Sequence, residues 1–324
     1  MAVAALGLSS GYATTTGQLV GWPTAITFAV LAVGFAAHAV FSDGLATAIV
    51  GRLAFGAAWI LTVHDLGLGP WRGTIDTLLV GFYALSGLPR LQVGRLGVLL
   101  AARRQWLVHG SAAVALGLTT YDWISTPGAH WLFPATFAGL GLAYLIFARL
   151  GGGTIGAAIS LGSFGLAWLT ATLDLDLHDW TAVAMAPLAI AYLVIAARAS
   201  MFGATGVVLA RAARPFVHLA VIAGLLLAAA LELSDSILQP GGRWITWQSP
   251  AVLAIIAGTY LAHWAFFRRP LALFALAVAA SLAVLAAGQV LQQDSTGAAI
   301  ELVLLAAAWG AGAVASTDKQ VRAL

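Results

Sequence analysis

Apolar runs close to 20 residues recur along the whole chain, beginning with TAITFAVLAVGFAAHAVF and still present in PLALFALAVAASLAVLAAGQV. Twenty helical residues are what it takes to cross a hydrocarbon layer ~30 Å thick. Of the 324 residues, 61% are hydrophobic and 8% charged, against roughly 25% charged in soluble domains. A globule of this size could not dress its surface with so few polar groups. The pattern predicts an all-α, polytopic integral membrane protein. Helices are expected because a backbone in lipid must satisfy its own hydrogen bonds, and the alternating ten-residue strands of a barrel are absent.

Eleven spans are expected. They lie near 22–41, 45–66, 73–89, 105–121, 130–148, 153–173, 180–197, 215–233, 248–267, 270–291 and 297–315. The fourth and eighth follow basic lead-ins, GRLGVLLAARRQW and GATGVVLARAARP. The N-terminus lacks the positive region of a secretory signal, so it is not read as a cleaved peptide.

Charge predicts the orientation. Arg90, Arg95, Arg103, Arg104, Arg149, Arg198, Arg211, Arg214, Arg268, Arg269, Lys319 and Arg322 gather at one set of helix ends. Asp65, Asp122, Asp174, Asp176, Asp179, Glu232, Asp235 and Asp294 gather at the other. The positive-inside rule puts the arginine side in the cytoplasm, with the N-terminus outside and the C-terminus inside. Trp22, Trp71, Trp123, Trp131, Trp180, Trp244 and Trp247 fall at the outer ends, as an interfacial aromatic belt does. Fourteen arginines against one lysine, with abundant Ala and Gly, suit a GC-rich bacterial genome and hence a bacterial inner membrane. The lipid bilayer is the expected environment. The arginines form no stripe or tail, which argues against nucleic acid.

The chain also repeats itself. FGAAWILTVHDLGLGPW at 55–71 returns as FGLAWLTATLDLDLHDW at 164–180, and GVLLAARRQWLVH at 97–109 returns as GVVLARAARPFVH at 206–218. Both pairs are offset by 109 residues, or four helices. An even helix number predicts parallel repeats related by an axis along the membrane normal. The expected plan is one membrane domain over 1–324, with repeat 1 near 22–122, repeat 2 near 130–233 and a truncated repeat 3 near 248–316. LAHWAFFR at 261–268 resembles LAYLIFAR at 142–149 and marks the third copy. Its missing helix invites a partner subunit or self-association.

Chemistry-bearing residues are few. The absence of cysteine excludes disulfides, thiolate metal sites and cysteine nucleophiles. His38, His109, His218 and His263 share one depth near the arginine side. A layer of imidazoles is a candidate for cofactor binding, haem b above all, or for proton relay. The packing alternative is that each histidine hydrogen-bonds to a neighbouring helix. It is favoured by Tyr144, which occupies the position equivalent to His38 and His263; no resident cofactor is expected. Arg52, Asp76 and Glu301 are the charges inside spans, where charge is costly and by default functional. Snorkelling accounts for all three, with an Arg72–Asp76 pair one helical turn apart. GGGTIG at 151–156 follows no strand and lacks the phosphate-loop lysine, so it reads as a turn with close helix approach. No catalytic constellation appears, which argues against an enzyme. The functional expectation is transport of a small solute or lipid. The alternatives are a non-catalytic scaffold or accessory subunit, and a haem- or quinone-linked electron carrier.

Overall fold

A computed structural model describes residues 22–42, 45–86, 88, 104–177, 180–238 and 246–290. The expected eleventh span and Glu301 lie outside these residues, as do Arg90, Arg95, Arg103, Lys319 and Arg322. The described residues form α-helices and short 3-10 or π turns, with no strand among them. In chain order the α-helices are α1 (Trp22–Ser42), α2 (Leu45–Asp65), α3 (Arg72–Leu85), α4 (Arg104–Ser125) and α5 (Leu132–Phe147). They continue with α6 (Gly153–Asp174), α7 (Thr181–Arg198), α8 (Gly203–Leu238), α9 (Gln248–Phe267) and α10 (Pro270–Val290).

Six helical stretches among these residues are long and apolar enough to cross a membrane. One of them, Leu132–Asp174, spans 43 residues. It is broken where Leu150 and Gly151 leave helical geometry, Gly151 with φ of 111°. The GGGTIG run is therefore a turn. A Cβ at Gly156 would sit 3.1–3.2 Å from the Phe147 ring and the Ala148 backbone, so α5 and α6 meet closely there. The break frees the Leu150 carbonyl, and the Arg104 guanidinium donates to it from α4.

The helices at the first, third and fourth expected spans are not among these six, and the third and eighth have other bounds than expected. The third is helical only over 14 residues, Arg72–Leu85, about 21 Å at ~1.5 Å per residue. The eighth starts at Gly203, twelve residues before the expected boundary, and runs 36 residues through Pro215. Ala and Arg are strong helix formers, so the basic lead-in ATGVVLARAAR winds as helix rather than loop. A proline costs a helix interior one hydrogen bond, and α8 continues past it. At about 54 Å, α8 exceeds the hydrocarbon thickness, which leaves its arginine-bearing first turns free to project beyond it.

The chain divides into two compact units, Met1–Ala171 and Thr172–Leu324. In the first, α1 packs on α2, and α3 packs against both α4 and α5. Leu79, Val80, Tyr83, Val108, Leu140 and Phe147 form the heart of its core. Gly73 lets α3 touch α4: a Cβ there would lie 2.5 Å from the Ala115 carbonyl and the Thr119 amide. In the second unit, α7 packs on α8 and on α9, and α9 packs on α10.

Beside these large residues the interior holds many small and polar side chains. Thr77, Thr119, Thr136 and Ser160 are buried, as are many alanines. Thr136 Oγ1 lies 2.8 Å from Thr74 Oγ1 and 2.9 Å from Thr119 Oγ1, which ties α3, α4 and α5 together. Other large apolar residues face outward, among them Val33, Phe41, Ile155, Leu226 and Leu271. In water this distribution would be inverted. In lipid, apolar contact drives no helix association, so small residues and hydroxyl bonds do. Trp71, Trp123, Trp131, Trp180 and Trp247 are also exposed.

Candidate functional site

In the second unit, the interior of α8, the last turns of α9 and the first turns of α10 line a pocket of about 520 Å³. On α8, Arg214 and His218 are four residues apart and share a face. On α9, Tyr260, His263 and Phe267 occupy positions i, i+3 and i+7 of one face. α9 then stops abruptly. Arg268 takes the left-handed conformation (φ 52°, ψ 36°), and its amide bonds the Trp264 carbonyl at 2.7 Å. Pro270 opens α10 directly afterwards, where a missing N–H costs nothing. This tight turn sets the first turns of α10 against the Phe267 end of α9 and contributes Arg269 to the pocket rim.

The pocket is cationic and aromatic. His218 Nδ1 and Tyr260 Oη are 3.2 Å apart, with their rings stacked at 5.9 Å. The His218 and His263 rings touch at 5.6 Å, and His263 lies 4.9 Å from Phe267. The Arg214 guanidinium sits 5.6 Å from the Phe267 ring centre, within cation–π range. Arg214, Arg269 and His218 are all close enough to His263 to act on it electrostatically. His263 Nδ1 is buried and has no hydrogen-bond partner. The ion pair found among the described residues is Arg72–Asp122, in the other unit, and no described carboxylate pairs with Arg214 or Arg269.

The first unit contains a related arrangement without the pocket. His109 Nδ1 lies 2.7 Å from Tyr144 Oη, the rings stacked at 5.6 Å. Phe147 meets His109 edge-on at 5.8 Å, and Arg104 lies 5.5 Å over Phe147. Tyr144 and Phe147 belong to the core here, so packing fills the space that is open in the second unit. A cavity of about 530 Å³ does occur beside Leu45, Ile49, Leu53, Trp106 and Leu107, and its described lining is uncharged.

The four histidines singled out from sequence are thus distributed. His218 and His263 come together, and His109 is engaged by Tyr144. His38 is exposed on α1, whose packing partner is α2. Arg52 is buried, 5% exposed, rather than reaching for the interface; its backbone carbonyl accepts a 2.7 Å bond from Tyr83 Oη. The expected Arg72–Asp76 pair is replaced by a longer-range one. Arg72 donates to Asp122 on α4 and to His64 Nδ1 at 2.8 Å, because α4 lies against this end of α3. Asp76 is 1% exposed, and neither of its carboxyl oxygens has hydrogen-bonding geometry. Trp59, the donor that faces it, falls short of that geometry as well. Glu232 is fully engaged, accepting from Thr246 and Ser249 at 2.8–3.0 Å around the start of α9.

Sequence reasoning missed Arg214, Arg269, Tyr260 and Phe267 as members of a site. The i, i+3, i+7 spacing of Tyr260, His263 and Phe267 was the available signal. Among the described residues no cluster of three or more His, Asp or Glu is placed to hold a metal ion.

Apolar helices wrapped around an interior with many small and polar side chains define the class: a helical, multi-pass membrane-embedded protein. Beyond the class, no protein family, curated protein or solved structure matches this chain.

Proposed function

We propose that the chain is a transport protein for a small solute or lipid, built from tandem parallel four-helix repeats with about eleven spans in a bacterial inner membrane. The observation that carries this reading is the second unit's pocket. It is open, large enough for a small ligand, and gathers two guanidinium groups that no described carboxylate pairs with, and two imidazoles, on the arginine-bearing part of α8, the last turns of α9 and the turn after it. The positive-inside rule assigns the arginine side to the cytoplasm. The repeat reading rests on the sequence echo; the stacks His109–Tyr144 and His218–Tyr260 each join the fourth helix of one proposed repeat to the first of the next, but the register pairs Tyr144 with His263 and not with Tyr260.

The electron-carrier reading has less support. A bis-histidine haem needs its imidazoles on opposite faces of a macrocycle, whereas His218 and His263 are in ring contact.

The test is transport in proteoliposomes. Vesicles carrying the full chain and a trace of fluorescent phospholipid are treated with a membrane-impermeant quencher, and uptake of a panel of small anions is measured in parallel. Protein-dependent loss of inner-leaflet fluorescence, or uptake of any anion above empty vesicles, is the expected result. Neither signal in vesicles shown to contain folded protein would overturn the reading.

A further inference from the structure

The pocket's chemistry specifies more than its existence. A guanidinium with no counterion is costly at a membrane boundary, and a cationic site of this kind is stabilised by an anion brought from outside. The Arg214 guanidinium lies 5.6 Å from the Phe267 ring centre, within cation–π range, and it lines the pocket. Planar guanidinium forks match phosphate oxygens two at a time. His263 Nδ1 and the Arg269 guanidinium supply further polar atoms with no partner among the described residues. The opposite wall differs entirely. It consists of Leu271, Ala272 and Ala275 on the first turns of α10. That wall continues into an outward apolar face, with Leu271 80% and Phe274 59% exposed. One side of the pocket therefore suits an anionic oxygen group and the other suits hydrocarbon.

We infer that the α8–α9–α10 pocket binds a phosphate ester, with Arg214 and Arg269 on the phosphate oxygens and the α10 wall along an attached acyl chain. An anionic phospholipid head group satisfies both walls, and a free phosphate ester satisfies only the first. Basic pockets between spanning helices on the cytoplasmic side are the usual seats of such head groups. The inference deepens the solute-or-lipid reading and rests on it for the pocket's role. Binding is measurable without transport, so the two fail separately.

The experiment uses the purified full chain in a neutral detergent and follows its thermal midpoint against ligand concentration. The probes are short-chain phosphatidylglycerol, short-chain phosphatidylcholine, glycerol phosphate and inorganic phosphate. Phosphatidylglycerol is expected to raise the midpoint saturably, and phosphatidylcholine is not. If glycerol phosphate or inorganic phosphate is as effective as phosphatidylglycerol, the source is a free phosphate; if both are much weaker, it is a lipid. Arg269→Gln removes no intramolecular bond and is expected to weaken phosphatidylglycerol binding about tenfold or more, the scale of one lost charge-assisted bond. Arg214→Gln also loses the Phe267 contact, so native mass spectrometry of its lipid adducts accompanies the melting curve. No shift with any phosphate probe, equal shifts with phosphatidylcholine, or undiminished binding by Arg269→Gln would each overturn the site.

Discussion

Two aspartates on neighbouring helices illustrate how much a partner decides. Asp122 and Asp76 are each 1% exposed, yet Asp122 holds Arg72 through two nitrogens and Asp76 holds nothing. Removing one member of a buried pair strands the other, at a cost of about 3 kcal/mol. Asp122→Asn is therefore expected to lower the thermal midpoint in detergent clearly. Asp76→Asn gives up no hydrogen bond and is expected to leave the midpoint unchanged or raise it. A loss from Asp76→Asn as large as that from Asp122→Asn would mean that Asp76 has a partner after all. This contrast was only half legible beforehand. Asp76 stands out in the chain as a charge within a span, and Arg72 is its evident neighbour at four residues. The residue that captures Arg72 is fifty positions away, and no local rule points to it. The same holds for Tyr83, whose hydroxyl closes on the backbone of Arg52 from another helix.

At the scale of the helix, boundaries follow local chemistry wherever a break residue is present. The left-handed Gly151 ends one helix region, and Pro270 begins another after the Arg268 turn. The basic lead-in before Pro215 is helical because Ala, Leu and Arg favour helix and α8 runs through the proline. Close approach between helices is governed by single side chains. Gly73 admits the α4 backbone, and a methyl group there would overlap it at 2.5 Å. Gly73→Ala is accordingly expected to destabilise by about 1–3 kcal/mol, the usual range for overpacking, read as a fall in thermal midpoint. Gly81 on the same helix has open space around the corresponding position. Gly81→Ala should be neutral or slightly stabilising. Equal effects at the two sites would contradict the α3–α4 contact. Which glycine of α3 faces α4 is settled by the rotation of the packed helix, and no composition rule contains that.

Across the whole molecule, the positive-inside asymmetry makes a prediction that needs no side-chain detail. The chain has no cysteine, so a single one placed at Gly128, in the turn between α4 and α5, is a clean reporter. Labelling of Gly128→Cys by an impermeant maleimide added outside intact cells is expected; labelling only after the cytoplasm is opened would reverse the proposed orientation. Hydropathy and charge sidedness are properties of the unfolded string. Lipid as solvent imposes both, through the length that a span must have and the energy of carrying arginine across. Those features determined that the described chain is helical, with several helices apolar and long enough to cross a membrane. Only the tertiary structure decided that Arg214, Arg269, His218 and His263 enclose one open pocket while His109 is locked against a core tyrosine. The reason is that polar partners in lipid are chosen by proximity between helices, and proximity depends on crossing and rotation set by many small contacts at once.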